Sequence, residues 1–241
     1  MYTARKFCIL FVFVLFSCIN RNPVSQAEQP VILELSQMEM DLAFILETYD
    51  PFLWILVDKQ HALPADYAPS VLVPLTGRNV LYRTNRNDLL LCRPAFDSLE
   101  EMAAAARADG LTLTVSSAYR SYAYQEQVYL RYVRQYGREE ADTFSARPGH
   151  SQHQLGLVVD FGSITDAFAD TPEGKWLAAN ASNYGWSLSY PLGYEHITGY
   201  KWESWHYRYV GKELARFIDT YFDGIQQNAL LYINKTTQTI N

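Results

Sequence analysis

Apolar residues recur at helical spacing over 38–48 and stop before Pro51, which predicts a first helix. An apolar run at 52–57 and a proline-rich loop at 62–69 follow. Ser98-Leu99-Glu100-Glu101 has the spacing of a capping box, so the pattern predicts a second helix over 99–108 with Gly110 closing it. Residues 111–115 alternate apolar and polar as a half-buried strand does, and run into the polar stretch Ser116-Ser117-Ala118-Tyr119-Arg120-Ser121. Tyr124, Val128, Tyr132 and Tyr136 share one face of a helix over 122–136 that Gly137 stops. Thr171-Pro172 opens another, with proline at its first position, running to about 184 and closed by Gly185. Residues 186–191 and 203–210 read as strands, and 212–222 as a closing amphipathic helix. No internal repeat and no low-complexity tract interrupts them. Helices and strands in this irregular order predict an α+β fold, with helices packed on a small, mostly antiparallel sheet.

One apolar run breaks its own rule. Leu157-Val158-Val159-Asp160-Phe161 is β-branched and apolar like a buried strand, yet it carries an aspartate. A buried carboxylate needs a partner or a metal. Two histidines are candidates to share it: His153, seven residues upstream, and His206, which has Glu203 three residues before it. Two imidazoles and a carboxylate are a ligand set for catalytic zinc, leaving a fourth position for water, and Glu203 is a carboxylate able to move protons. Extended chain would hold His153 and Asp160 roughly 23 Å apart at about 3.3 Å per residue, whereas zinc ligands lie a few ångströms from one another. The chain therefore has to turn between them, and Gly156 is the residue suited to the turn.

Composition narrows the function classes. The chain has 241 residues, 49% hydrophobic and 15% aromatic, enough for one sizeable packed domain. Its formal charge is −6 with both signs interspersed, which argues against a nucleic-acid partner held by bulk charge. Arg5 and Lys6 precede the apolar run 7–16, too short to span a bilayer comfortably but suited to the core of a signal peptide. Two endings compete within residues 1–27. Leu15-Phe16-Ser17-Cys18 resembles a lipoprotein box, in which Cys18 would carry a lipid tether to the membrane; Ser25-Gln26-Ala27 suits ordinary cleavage. Export would leave Cys92 as the cysteine certain to remain, so no internal disulfide is expected, and its apolar neighbours make it a packed thiol. His61, His150 and His196 read as structural or surface residues.

Two motifs carry a family resemblance. Ser151-x-His153-x-x-Gly156-x-x-x-Asp160 and Glu203-x-x-His206-x-Arg208-Tyr209-Val210-Gly211 resemble the VanY-like zinc D-alanyl-D-alanine carboxypeptidases, as do Ser117-Ala118-Tyr119-Arg120-Ser121 with Gln125 and, more loosely, 59–67. The resemblance covers roughly 50–215 and implies a compact α+β zinc domain of the kind shared with Hedgehog signalling domains. It implies one zinc ion held by His153, Asp160 and His206, Glu203 as general base and acid, Arg120 and Ser151 on the substrate's terminal carboxylate, and Gln125 in the pocket. The implied substrate is the peptidoglycan stem peptide, met in the cell envelope after export. Val158, Gln152 and Ser189 depart from the family's usual alanine, glutamate and arginine. The expected organisation is a signal peptide over 1–27, a helical extension over 28–50, the zinc carboxypeptidase domain over 51–222 and a tail over 223–241. An L,D-carboxypeptidase acting on tetrapeptide stems, a non-catalytic zinc-containing wall-binding module and an endolysin-type endopeptidase are the alternative functions.

Overall fold

A computed structural model describes residues 35–75 and 81–240, so the signal-peptide reading of 1–27, with Cys18, lies outside the described residues. Helix α1 (Gln37–Thr48) starts at a reciprocal cap: Ser36 Oγ accepts from the Glu39 N–H at 3.3 Å, and Glu39 Oε2 accepts from the Ser36 N–H at 2.7 Å. A single 3₁₀ turn, Pro51–Trp54, occupies the start of the apolar run. Short strands β1 (Leu72–Pro74), β2 (Arg83–Thr84) and β3 (Leu90–Cys92) lead into α2 (Arg93–Ala108). Then come β4 (Thr114–Ser117), α3 (Tyr122–Tyr136), the one-turn α4 (Arg138–Ala141) and β5 (Val158–Phe161). The chain continues with α5 (Pro172–Asn180), β6 (Trp186–Leu188), the one-turn α6 (Glu195–Thr198), β7 (His206–Tyr209), α7 (Lys212–Phe222) and α8 (Gln226–Ile240).

The central sheet has the order β2-β4-β5-β7-β6; β2 runs parallel to β4 and every other pair is antiparallel. The α+β expectation therefore holds. Strand β5 lies at the middle of this sheet and all four of its residues are buried, so both of its faces are covered and, Asp160 apart, it reads as a continuous apolar run. Leu99, Met102 and Ala103 of α2, Val159 and Phe161 of β5, and Phe217 and Ile218 of α7 belong to one buried cluster.

Two elements differ from the sequence expectation. Helix α2 begins at Arg93, ahead of the capping-box position at Ser98. Pro94 stands in the first turn, where its missing N–H costs nothing. Ser98 is spent on a tertiary contact instead: its hydroxyl donates to the Tyr184 carbonyl at 2.5 Å and accepts from Trp186 Nε1 at 2.9 Å. The stretch expected as a tail over 223–241 contains α8, whose Ala229, Leu230 and Ile233 are fully buried. Those three positions form a helical stripe that has meaning only once the rest of the core is there to receive it.

Helix α8 is also fastened by amides. Gln226 Oε1 accepts from Gln152 Nε2 at 3.2 Å, and Gln226 Nε2 donates to the Ser187 carbonyl at 3.2 Å. Gln227 Nε2 donates to Asp58 Oδ2 at 2.7 Å, while Asp58 Oδ1 accepts from the Gln60 and His61 N–H groups at 2.8 and 2.9 Å. Burial opposes ionisation of Asp58, but these bonds with Gln60, His61 and Gln227 outweigh it and hold its pKa below the ordinary value. A depressed carboxyl pKa stabilises the fold above the unfolded value of about 3.9 and loses that contribution as pH falls through the folded value. Asp58→Asn is therefore expected to cost about 2 kcal/mol at pH 7, with the gap to the parent protein narrowing below pH 4. Urea midpoints across that range check it; an equal gap at both ends would assign the effect to shape rather than charge.

Candidate active site

The sheet itself brings two of the predicted ligands together. Asp160 on β5 stands directly opposite His206 on β7, and opposite Ser117 on β4. Cross-strand neighbours of this kind have Cβ atoms about 5 Å apart, so the pair meets without any special loop. His153 arrives from a 3₁₀ turn, Gln152–Leu155, capped by Ser151, whose Oγ accepts from the His153 N–H at 3.3 Å. Gly156 ends that turn at φ +69°, as the spacing argument requires. A Cβ there would sit 2.8 Å from Cys92 Sγ and 3.0 Å from Leu72 Cδ2. Left-handed strain and overpacking together put Gly156→Ala at about 3 kcal/mol of lost stability. A urea midpoint unchanged from the parent would refute that packing argument.

His153, Asp160 and His206 each offer a ligand atom, all within 4.8 Å of one another, and all three residues are buried. His153 Nε2 lies 3.2 Å from Asp160 Oδ2, and His206 Nδ1 lies 3.2 Å from Asp160 Oδ1. The far nitrogen of His153, Nδ1, donates to the Ala118 carbonyl at 2.6 Å, which fixes the tautomer and aims Nε2 at the cluster. Buried Asp160 Oδ1 and His206 Nε2 have no hydrogen-bond partner. An orphaned buried carboxylate oxygen is costly, and a cation among the three residues would satisfy it. The residues therefore fit a divalent metal with N/O preference such as zinc.

Burial opposes charge on Asp160, but both imidazoles hold its carboxyl well below the usual carboxylate range. Burial and the Arg120 charge push His153 down to about 4, so its ring is neutral and ready to ligate. Burial also disfavours the His206 imidazolium, yet the neighbouring Asp160 and Glu203 carboxylates outweigh it and raise the ring to about 9.

Glu203 stands at the edge of the cluster. Its Oε2 lies 3.1 Å from His206 Nδ1, the same nitrogen that faces Asp160. A carboxylate that merely orients a ligating histidine holds the opposite ring nitrogen. Glu203 thus does not occupy the position of an orienting carboxylate, and burial raises its pKa from the ordinary value. Arg120 sits on the other side. Its backbone N–H donates to the His153 carbonyl at 3.1 Å, and its Nη2 lies 3.9 Å from Asp160 Oδ2. Gln125 is buried with both amide ends committed, Oε1 to Arg120 Nη1 at 2.7 Å and Nε2 to the Ala146 carbonyl at 2.6 Å. It therefore aims Arg120 rather than lining the pocket as the resemblance implied.

Residues 89–212 match the family model described as VanY, D-alanyl-D-alanine carboxypeptidase. The chain belongs to this family. YodJ of Bacillus subtilis (strain 168) is 38% identical over 169 residues, which cover 68% of this chain and 62% of YodJ, so the chain spans less than two thirds of that relative's length. The solved LdcB LD-carboxypeptidase is 36% identical with a TM-score of 0.65, covering 72% of this chain and 83% of LdcB. A mutant form of the vancomycin resistance D,D-pentapeptidase VanY, solved in complex with Zn(II), is 32% identical with a TM-score of 0.62, covering 75% of this chain and 99% of that one.

The sequence reading missed the site's supporting groups. Ser117 and Ala118 stand in a quoted motif but were given no role there; the Ala118 carbonyl holds His153, and the Ser117 hydroxyl accepts from Arg120 Nη2 at 3.1 Å. Tyr190, whose ring lies 4.7 Å from that of His206, stands outside both motifs.

Proposed function

We propose that this chain is a zinc-dependent D-alanyl-D-alanine carboxypeptidase that removes the terminal D-alanine from peptidoglycan stem peptides. The observation that carries the reading is the buried His153–Asp160–His206 cluster with Glu203 on the ligating nitrogen of His206. His153 would hold zinc through Nε2, His206 through Nδ1, and Asp160 through a carboxylate oxygen. Zinc bound there supplies Lewis acidity, polarising a carbonyl and easing the ionisation of water. Glu203 takes the proton from the attacking water and returns it to the leaving amine, so the peptide bond breaks with no net change in the residue. Its raised pKa brings it toward the range in which a carboxyl group does both.

Arg120 sets the register. Its guanidinium forms a planar two-pronged contact with a carboxylate, and Gln125 and Ser117 hold the fork in place. An internal peptide bond presents no carboxylate at that position, so the arrangement favours an exopeptidase. Ser151 caps the turn that carries His153 through its oxygen, which leaves its hydroxyl proton to donate. Because stem peptides lie outside the cytoplasm, residues 1–27 are read as the export signal, with Cys18 as the lipid-bearing residue in one form of it.

The likeness to LdcB supports a second reading, in which the same groups cut an L,D bond in a tetrapeptide. Mass spectrometry of synthetic pentapeptide and tetrapeptide stems, each incubated with zinc-loaded protein, decides between them. Loss of one alanine from the pentapeptide alone is the expected result. Loss from the tetrapeptide alone assigns the L,D activity, and no shortening of either rejects both.

A further inference from the structure

Helix α8 lies beyond residues 89–212, the part of the chain that the family model matches. Its first residue nevertheless reaches both segments that deliver the histidines. One is the 3₁₀ turn Gln152–Leu155, which carries His153. The other is strand β6 and the residue after it, which pair with the β7 strand that begins at His206. Gln226 is bonded to each of them and is only 1% exposed.

The contacts form a closed set of neutral groups. Gln152 Nε2 donates to Gln226 Oε1 at 3.2 Å, and the Ser189 hydroxyl donates to Gln152 Oε1 at 2.7 Å, with Gln226 Oε1 3.4 Å away. Gln226 Nε2 donates to the Ser187 carbonyl at 3.2 Å. Each arm ends one step from a ligand. Gln152 precedes His153 in the chain, and the Ser189 N–H donates to the His206 carbonyl at 3.1 Å. Gln152, Ser187 and Ser189 are buried like Gln226, so water does not replace a bond lost among them. Gln152 and Ser189 both lack the charge usual at their positions in the family, so no ionic attraction holds them, and the amide from α8 completes the contact.

We propose that Gln226 is a positioning residue of the metal site, fixing the His153 turn against the β6–β7 pair. The inference rests on the zinc reading above and extends the site to α8, which holds none of the ligands. Strand register already sets Asp160 opposite His206. His153 is the ligand that the sheet does not place, because it stands on a 3₁₀ turn. A turn free to drift binds metal less tightly, since ligands have to be held within a fraction of an ångström of the bound geometry.

The test uses the full chain and reads zinc affinity by competition against a coloured chelator, without denaturant, where the proteins are folded. Gln226→Met keeps the side-chain length and removes the amide. Ile233→Val loosens the same helix at a fully buried position that makes none of these bonds. Both are expected to lower the urea midpoint. Gln226→Met is expected to weaken zinc binding about tenfold, and Ile233→Val by less than about twofold. Gln152→Met is expected to match Gln226→Met, and the double variant to lose less than the product of the two, because both remove one shared bond. Parental affinity in Gln226→Met, an equal loss in Ile233→Val, or effects that multiply overturns the proposal. Should Gln226→Met not fold, Ser189→Ala takes its place, with an expected loss of about threefold and parental affinity as the refuting result. A parent protein that binds no zinc removes the zinc reading by itself. Positioning is then judged in the metal-free protein, from the NMR resonance of the His153 Nδ1 proton bonded to the Ala118 carbonyl at 2.6 Å. Its exchange with solvent is expected to quicken about tenfold in Gln226→Met and to stay parental in Ile233→Val, and equal exchange in the two overturns the proposal.

Discussion

Glu203→Gln is expected to lower kcat about a thousandfold while zinc remains bound. Glutamine keeps the volume and an oxygen acceptor, so the buried site has no new cavity to collapse, but the amide accepts no proton. The ligand set is untouched, because Glu203 lies beside the cluster of His153, Asp160 and His206 rather than within it. Turnover of the stem peptide, measured at metal occupancy matched to the parent, isolates the proton-transfer role. A variant that kept the parental rate with zinc in place would show that the carboxylate serves only to tune His206, and the base would have to be sought elsewhere.

Asp160→Asn is expected to weaken zinc binding by about a thousandfold, more than loss of a supporting hydrogen bond to a ligand costs. The substitution is close to isosteric and removes the charge that both imidazoles share, at 3.2 Å from His153 Nε2 and 3.2 Å from His206 Nδ1. Competition against a coloured chelator reads the affinity directly, without recourse to activity. The parent protein should also melt higher with zinc than after chelation, because a ligand that binds only the folded state stabilises it, and that increment should vanish in the variant. Parental affinity in the variant would remove Asp160 from the ligand set.

The residues of the site could be read from sequence for specific physical reasons. Asp160 announced itself because a charge in a β-branched apolar run has to be compensated. Gly156 followed from arithmetic, since His153 and Asp160 cannot meet without a turn. Glu203 and His206 lie three residues apart, a separation that local backbone geometry controls. Each of these signals is carried within about ten residues of chain, over which spacing constrains position.

What the chain order leaves open is which distant groups meet. Gln125 looked like a pocket residue until Arg120 and the Ala146 carbonyl were found to occupy both ends of its amide. Ser98 looked like a helix cap until Trp186 and Tyr184 claimed its hydroxyl. Residues 223–241 looked like a tail because the stripe of Ala229, Leu230 and Ile233 is short, and its burial comes from a core assembled by other elements. The pairing of Asp160 with His206 across β5 and β7, and the meeting of Gln152, Ser189 and Gln226 in one buried set of bonds, likewise arise from strand register and helix packing. Residue type and short spacing determined which chemistry this protein carries. Tertiary structure alone decided which side chains hold that chemistry in place and which substrate groups it can meet, because hydrogen bonds and charges are satisfied by whatever folding brings near, regardless of distance along the chain.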